Sequence, residues 1–156
     1  MIGIGEDSHA FGSDKKLILG GVVFEGEKGL MAHSDGDVVL HALFNAVSSA
    51  LGGRSIGFYF PDSDYKNKDM NSMISIKKAV EMLNEKNCVV ENISISVEAK
   101  KPKIEPRSEE MKNKIAASFG IESSRVGITA TTGEGLTSFG KGEGIRVTAV
   151  VSIKSL

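Results

Sequence analysis

Val89-Val90-Glu91-Asn92-Ile93-Ser94-Ile95-Ser96-Val97-Glu98-Ala99 decides the fold class of this chain. Ile93, Ile95 and Val97 alternate with Asn92, Ser94 and Ser96. A period of two marks a half-buried strand. Upstream of it, Asp69 or Asn71 caps a helix that runs to about Asn87, with Met73, Ile76, Val80 and Leu83 inward. Downstream, Lys100-Lys101-Pro102-Lys103 is a basic loop. A helix follows from Glu105 to Phe119, with Met111, Ile115 and Phe119 inward and Gly120 as its stop. Arg125 to Thr131 and Gly144 to Lys154 read as two further strands around a Gly-rich stretch.

At the other end, Met1 to Asp7 is a short first strand. Leu17 to Phe24 reads as two short strands around the Gly20-Gly21 turn. Lys28 to Ser34 is a loop. Ser34 and Asp35 are N-cap candidates for a helix that reaches Leu51 and stops at Gly52-Gly53. Leu40, Leu43, Val47 and Leu51 form its core stripe, while Asp37, His41 and Asn45 share another face at steps of four. Phe58 to Asp64 is irregular, because Pro61 blocks a strand interior.

This order of elements predicts an α/β (α+β) chain: a split β-α-β, ferredoxin-like mixed sheet with helices on one face. Ile93, Ile95, Val97, Val147, Ala149 and Val151 are too many apolar side chains to leave wet. Packing against copies of the chain would hide them, and so would its own helices. The sequence leaves both open.

The chain has 156 residues, which fits one domain spanning 1–156 and leaves no room for a fused second enzyme. Hydrophobic residues make up 40% and charged residues 25%, as in ordinary globular proteins. A net charge of −1 gives no reason to expect nucleic acid or an anionic membrane as partner. No apolar run has the length of a signal peptide or a membrane span. The single Cys88 excludes an internal disulfide and a multi-Cys metal site, which suits the reducing cytoplasm.

Asp7 and His9 are two apart in a predicted strand, so both side chains point the same way. His41 follows on the next helix. Two His and one carboxylate form a frequent catalytic zinc set, with a fourth position open to substrate. A lone His is more often an ordinary core or surface residue, and Asp-x-His is a short pattern. The polar density of Ser34-Asp35-Gly36-Asp37 ahead of His41 adds weight to the metal reading.

Taken together, these phrases resemble the 2-C-methyl-D-erythritol 2,4-cyclodiphosphate synthase family of the non-mevalonate isoprenoid pathway. The most specific piece is Ser34-Asp35-Gly36-Asp37-Val38-Val39-Leu40-His41-Ala42. Asp7-Ser8-His9, Ala32-His33-Ser34, Phe60-Pro61-Asp62, Pro102-Lys103, Ala130-Thr131-Thr132-Gly133-Glu134 and Gly142-Glu143-Gly144 occur in the family's order and spacing. The resemblance implies a homotrimer with active sites between subunits. It implies conversion of 4-diphosphocytidyl-2-C-methyl-D-erythritol 2-phosphate to the cyclic diphosphate, with release of CMP. Zinc would be held by Asp7, His9 and His41. A second divalent ion, Mg2+ or Mn2+, would sit on the substrate diphosphate with Glu134.

By the same resemblance, His33 and Thr132 would stabilise the transition state. Substrate contacts would come from Ser8 and Ser34, from Ser55, Ile56 and Gly57, and from Phe60, Pro61, Asp62, Ser63 and Asp64. Ala99, Lys100, Lys101, Pro102, Lys103, Ile104 and Glu105 would take the cytidine. Thr131, Gly133, Ser138 and Lys141 complete the set. Lys100, Lys101 and Lys103 also read as a solvated basic turn, and His33 as a loop residue capping the next helix.

The chemistry suits such equipment. A phosphate monoester is mostly dianionic near neutral pH and needs no strong base. The obstacle is holding anions together in line. The absence of a Ser-His-Asp or Cys-His arrangement is then no surprise.

The chain also departs from the family pattern. Ser55 and Asn45 stand where Asp is common, Lys141 where Arg is usual, and Ser138 where an aromatic is usual, with Phe139 following. Two other readings are a metal-dependent phosphodiesterase and a non-catalytic trimer that binds isoprenoid diphosphates around a Lys141 ring. Intact Asp7, His9, His41 and Glu134 argue against loss of catalysis.

Overall fold

The computed structural model describes residues 1–156. In chain order its strands and helices are β1 (Ile2–Leu19), β2 (Val22–Leu30), α1 (Val38–Ala50), α2 (Ile56–Tyr59), α3 (Met73–Glu85), β3 (Cys88–Glu98), α4 (Ser108–Phe119), β4 (Val126–Thr131), α5 (Ser138–Lys141) and β5 (Gly144–Ser155). The five strands form one sheet in the order β2-β1-β5-β3-β4.

β1 is much longer than the first strand expected from the sequence. Ile2 to Ala10 pairs antiparallel with β5, and Phe11 to Leu19 pairs antiparallel with β2. The register slips between Phe11 and Ser13, between Ser13 and Lys16, and between Lys16 and Leu17. Such bulges break the alternation that betrays a strand and bend the sheet. For the same reason Lys28 to Leu30 is strand, not loop: Leu30 pairs with Phe11. Gly20 and Gly21 make the hairpin turn with φ of 59° and 75°. A two-residue turn with both φ positive matches strand twist and favours glycine.

β5 lies antiparallel between β1 and β3, so β1 and β3 run the same way with a strand between them. β3 and β4 are parallel neighbours, and α4 connects them. Helices α1, α3 and α4 cover one sheet face. Ile93, Ile95, Val97, Val147, Ala149 and Val151 are all buried beneath them. Of the two covers the sequence left open, the chain's own helices are the one used for these residues. The opposite face carries Ser94, Ser96 and Thr148, and with them the exposed Ile2, Ile4 and Val150.

The helix bearing His41 is capped by Asp37, not by Ser34 or Asp35. Asp37 Oδ1 accepts from Leu40 N at 3.1 Å and from Gly20 N at 2.9 Å, and Oδ2 accepts from Gly21 N at 2.7 Å. One carboxylate thus fastens the hairpin turn to the helix start. Burial pushes Asp37 up to about 6, against the pull of the backbone donors of Gly21, Leu40 and Gly20.

α1 sits very close to β1. A Cβ on Gly3 or Gly5 would overlap the helix backbone at Ala46 and Ala50, or at Ala42 and Ala46. Small residues on both sides permit that approach. The inward positions of β1 read Gly3, Gly5, Asp7, His9, so the helix lies flat on the glycines and its His41 meets the two ligands beyond them.

Three other boundaries differ from expectation. α3 is N-capped by Ser72, while the Asn71 side chain accepts from Met73 N at 2.9 Å. The predicted helix from Glu105 begins as a 3-10 turn, Glu105–Arg107, before α4. Phe58 to Asp64 is not wholly irregular, because α2 adds one turn of helix. Phe44 of α1 holds that turn through edge-on contacts with Tyr59 and Phe60, at ring-centroid distances of 5.4 and 6.0 Å.

Candidate active site

Asp7 and His9 share the inward face of β1, and His41 reaches them from α1. Asp7 Oδ2 lies 3.0 Å from His41 Nδ1 and 3.0 Å from His9 Nε2. One ligand atom from each of the three falls within 4.8 Å of the others. The His9 and His41 rings meet edge-on, 5.7 Å between centroids. Burial would raise the Asp7 carboxyl, but the hydrogen bond from His41, the close approach of His9 and the charges of both rings outweigh it and hold it at about 2. Burial likewise depresses the His41 imidazole. Its bond to Asp7 and the charges of Asp7, Asp37 and Asp35 overcome this and leave it above the ordinary value.

His9 Nε2 is buried and makes no hydrogen bond, because its line to Asp7 is close but poorly angled. Buried polar atoms in native proteins are nearly always partnered. An imidazole nitrogen set beside a carboxylate and a second imidazole, and satisfied by neither, fits a cation held among the three.

His41 is also gripped from behind. Its Nε2 lies 2.9 Å from Ser72 Oγ and 3.2 Å from Ser34 Oγ. Lys15 Nζ donates to Ser34 O at 2.9 Å and Ala32 O at 3.3 Å, and pairs with Asp69 Oδ1 at 2.6 Å. Asp69 N donates to His33 O at 2.8 Å. Three consecutive carbonyls, of Ala32, His33 and Ser34, are therefore tied down, and His33 is presented from a fixed backbone. His33 Nε2 is buried without a partner.

Most of the predicted site residues fall into two separate cavities. The first, about 210 Å³, is lined by Asp7, His9, His33, Ser34, His41, Ile56, Gly57, Phe60 and Asp62, together with Ala32, Asn67 and Met70. The second, about 290 Å³, is lined by Ala99, Lys100, Pro102, Lys103, Ile104, Glu105, Thr131 and Thr132, together with Pro106 and Ala130. Ser55, Pro61, Ser63 and Asp64 flank the first cavity in sequence without lining it, and Lys101 does the same at the second. Ser8 points to the opposite face of β1 from Asp7 and His9. Gly133, Glu134, Ser138 and Lys141 belong to the loop after β4 and to α5, outside both cavities.

That loop is folded tightly on itself. Thr132 Oγ1 accepts from Glu134 N at 3.3 Å, and Thr131 Oγ1 accepts from Gly133 N at 3.1 Å. Two backbone donors of the Gly-rich loop are thus already engaged by hydroxyls. Gly133 has φ of 73°, and a Cβ there would lie 2.9 Å from Gly140 Cα. Glu134, at φ 51°, stands exposed and apart from the Asp7, His9 and His41 cluster.

Asn45 Oδ1 accepts from Ile56 N at 2.8 Å, fixing the start of α2. The exposed Ser55 hydroxyl makes no cap bond there. Sequence reasoning missed Asn67 and Met70 in the first cavity, and Lys15 and Ser72 behind it. None of these belongs to a ligand pattern: Lys15 comes from β1, and Asn67, Met70 and Ser72 from the segment between α2 and α3.

The sequence profile of the YgbB family matches residues 1–154. A 2-C-methyl-D-erythritol 2,4-cyclodiphosphate synthase of Caldicellulosiruptor bescii is 47% identical over 152 residues, 97% of either chain. A solved 2C-methyl-D-erythritol-2,4-cyclodiphosphate synthase in a CDP-bound form has a TM-score of 0.90 and 30% identity, covering 99% of this chain and 100% of that one. The bifunctional IspDF of Campylobacter jejuni superposes with a TM-score of 0.94 at 38% identity, and this chain spans 42% of its length.

Proposed function

The chain belongs to the YgbB family, and we propose how it performs the reaction it catalyses, the cyclising step of the non-mevalonate isoprenoid pathway. That step turns 4-diphosphocytidyl-2-C-methyl-D-erythritol 2-phosphate into 2-C-methyl-D-erythritol 2,4-cyclodiphosphate and releases CMP. The observation that carries the mechanism is the Asp7, His9 and His41 cluster with its unpartnered His9 Nε2.

Asp7, His9 and His41 would hold zinc. The exposed Glu134 would serve a second divalent ion, magnesium or manganese. The bound cations would neutralise and orient the 2-phosphate and the diphosphate that must meet. The remaining work falls to the chain. His33 donates from its unpartnered Nε2 to a phosphoryl oxygen, on the backbone that Lys15 and Asp69 fix. Thr132 supplies a hydroxyl donor to the same charge. Backbone groups of Ala99 to Glu105 read the cytosine, and Lys103 approaches a phosphate. The CDP-bound relative supports a nucleotide pocket of this kind. Ile56, Gly57, Phe60 and Asp62 enclose the sugar alcohol in the first cavity.

His33 and Thr132 line different cavities of one chain. That separation supports a homotrimer in which the first cavity of one subunit meets the second of its neighbour. The exposed Ile2, Ile4 and Val150 on the open sheet face support burial against other copies. The insertion of β5 between β1 and β3 supports the ferredoxin-like description of a single domain spanning 1–156. No helix is long and apolar enough to cross a membrane, which accords with work in the cytoplasm.

The test is metal analysis and product assay on one sample. Wild type should carry zinc and yield cyclic diphosphate plus CMP. His41→Ala should lose zinc and turnover together, because two ligands hold the ion too weakly. An open-chain product would instead mark a phosphodiesterase.

A further inference from the structure

The protons behind His41 run in one direction only. Asp35 is a carboxylate and accepts, so the Ser72 hydroxyl hydrogen that joins them points to Asp35 Oδ1. A hydroxyl has one hydrogen. Ser72 Oγ, 2.9 Å from His41 Nε2, therefore accepts from it, and the ring proton sits on Nε2. Ser34 Oγ lies 3.2 Å from the same nitrogen. Asp35 itself is pinned: Oδ2 accepts from Ser72 N at 2.9 Å, Oδ1 accepts from Asp37 N at 3.1 Å, and Asp35 N donates to Met70 O at 3.0 Å. Ser72 is fully buried, so water does not compete for its hydroxyl.

We propose that Ser72 and Asp35 are positioning residues for His41, a chain of oriented hydrogen bonds that makes Nδ1 the nitrogen free to bind a cation between Asp7 and His9. This rests on the metal reading above. Outer partners of this kind fix a histidine's tautomer and ring orientation, and their loss typically costs about 10–100-fold in metal affinity. The chain also joins the start of α1 to the start of α3, so the geometry of one ligand depends on the seating of two helices.

Two variants and one spectrum test it. Ser72→Ala removes the acceptor. Asp35→Asn keeps the shape but sets an amide donor against Ser72, at either its hydroxyl or its backbone N–H. Both should bind zinc about 10–100-fold more weakly than wild type in competition with a chromophoric chelator. Circular dichroism should show both folded. In zinc-loaded wild type, nitrogen NMR of the His41 ring should show a protonated Nε2 and a ligated Nδ1, a signature a merely structural role would not set. Ligation through Nε2 would overturn the proposal, as would wild-type zinc affinity in the two folded variants. Zinc absent from wild type, or retained undiminished in His9→Ala, would overturn the metal reading and this proposal with it.

Discussion

Ser55 is the departure from the expected pattern that the sequence singles out, and its hydroxyl is exposed and caps nothing. A hydrogen bond to a charged group is worth about 1.5–3 kcal/mol and a neutral one about 0.5–1.5. The difference, about 1 kcal/mol, is a several-fold change in affinity or rate. Ser55→Asp should therefore raise kcat/KM several-fold, since it adds charge where the sugar alcohol's hydroxyls would lie. A tenfold fall with zinc content intact would mean that the pocket is built around Ser55.

His41 gives a second prediction at this scale. Its imidazole is held above the ordinary value, so in the metal-free protein it keeps a proton on the side facing Asp7 to higher pH than a free imidazole does. With the folded value raised, that ion pair stabilises the metal-free fold fully below the unfolded pKa, and the contribution fades as pH climbs through the folded one. A cation must displace the proton. Zinc uptake should release protons, and affinity should rise with pH. Calorimetry in two buffers of different ionisation enthalpy measures the release; equal heats in both would contradict it.

At the scale of elements, the contact of α1 with β1 brings the ligands together. Gly5 faces the helix at Ala42 and Ala46, where no Cβ fits. Gly5→Ala should push the helix outward. Overpacking of this kind costs about 1–3 kcal/mol, a fall in Tm of roughly 2–12 °C for a chain of this size. Zinc affinity should drop too, because His41 moves with the helix. A variant with unchanged Tm and zinc affinity would show that the contact yields freely.

Legibility in the sequence followed the same lines. β3 was readable because Ile93, Ile95 and Val97 keep strict period through its second half. The second half of β1 was not, because its bulges break that period. Asp7, His9 and His41 were readable as ligand types in short phrases. Ser72 lies 31 residues from His41, and nothing local marks it. The Asn45 bond that seats α2 escaped for the same reason: it joins positions 11 apart through a side chain. Patterns report the face a residue shows, and they are silent on which distant backbone comes to meet it.

For the whole molecule, the two cavities invite a mixing experiment. His9→Ala disables the first and Thr132→Ala the second. Each variant alone should be nearly inactive. If the proposed trimer forms, re-formed mixed assemblies should regain activity, because some junctions then join two intact halves. No recovery after confirmed subunit exchange would place both cavities' work within one chain.

The separation of the cavities also sets how output would answer to abundance. If a lone subunit offers two incomplete halves, turnover is a property of encounters. Well above the dissociation threshold, output tracks the amount of protein. Far below it, mass action makes the trimer population scale with about the third power of subunit concentration. A cell that let such a trimer run scarce would see flux collapse sooner than the protein itself disappears.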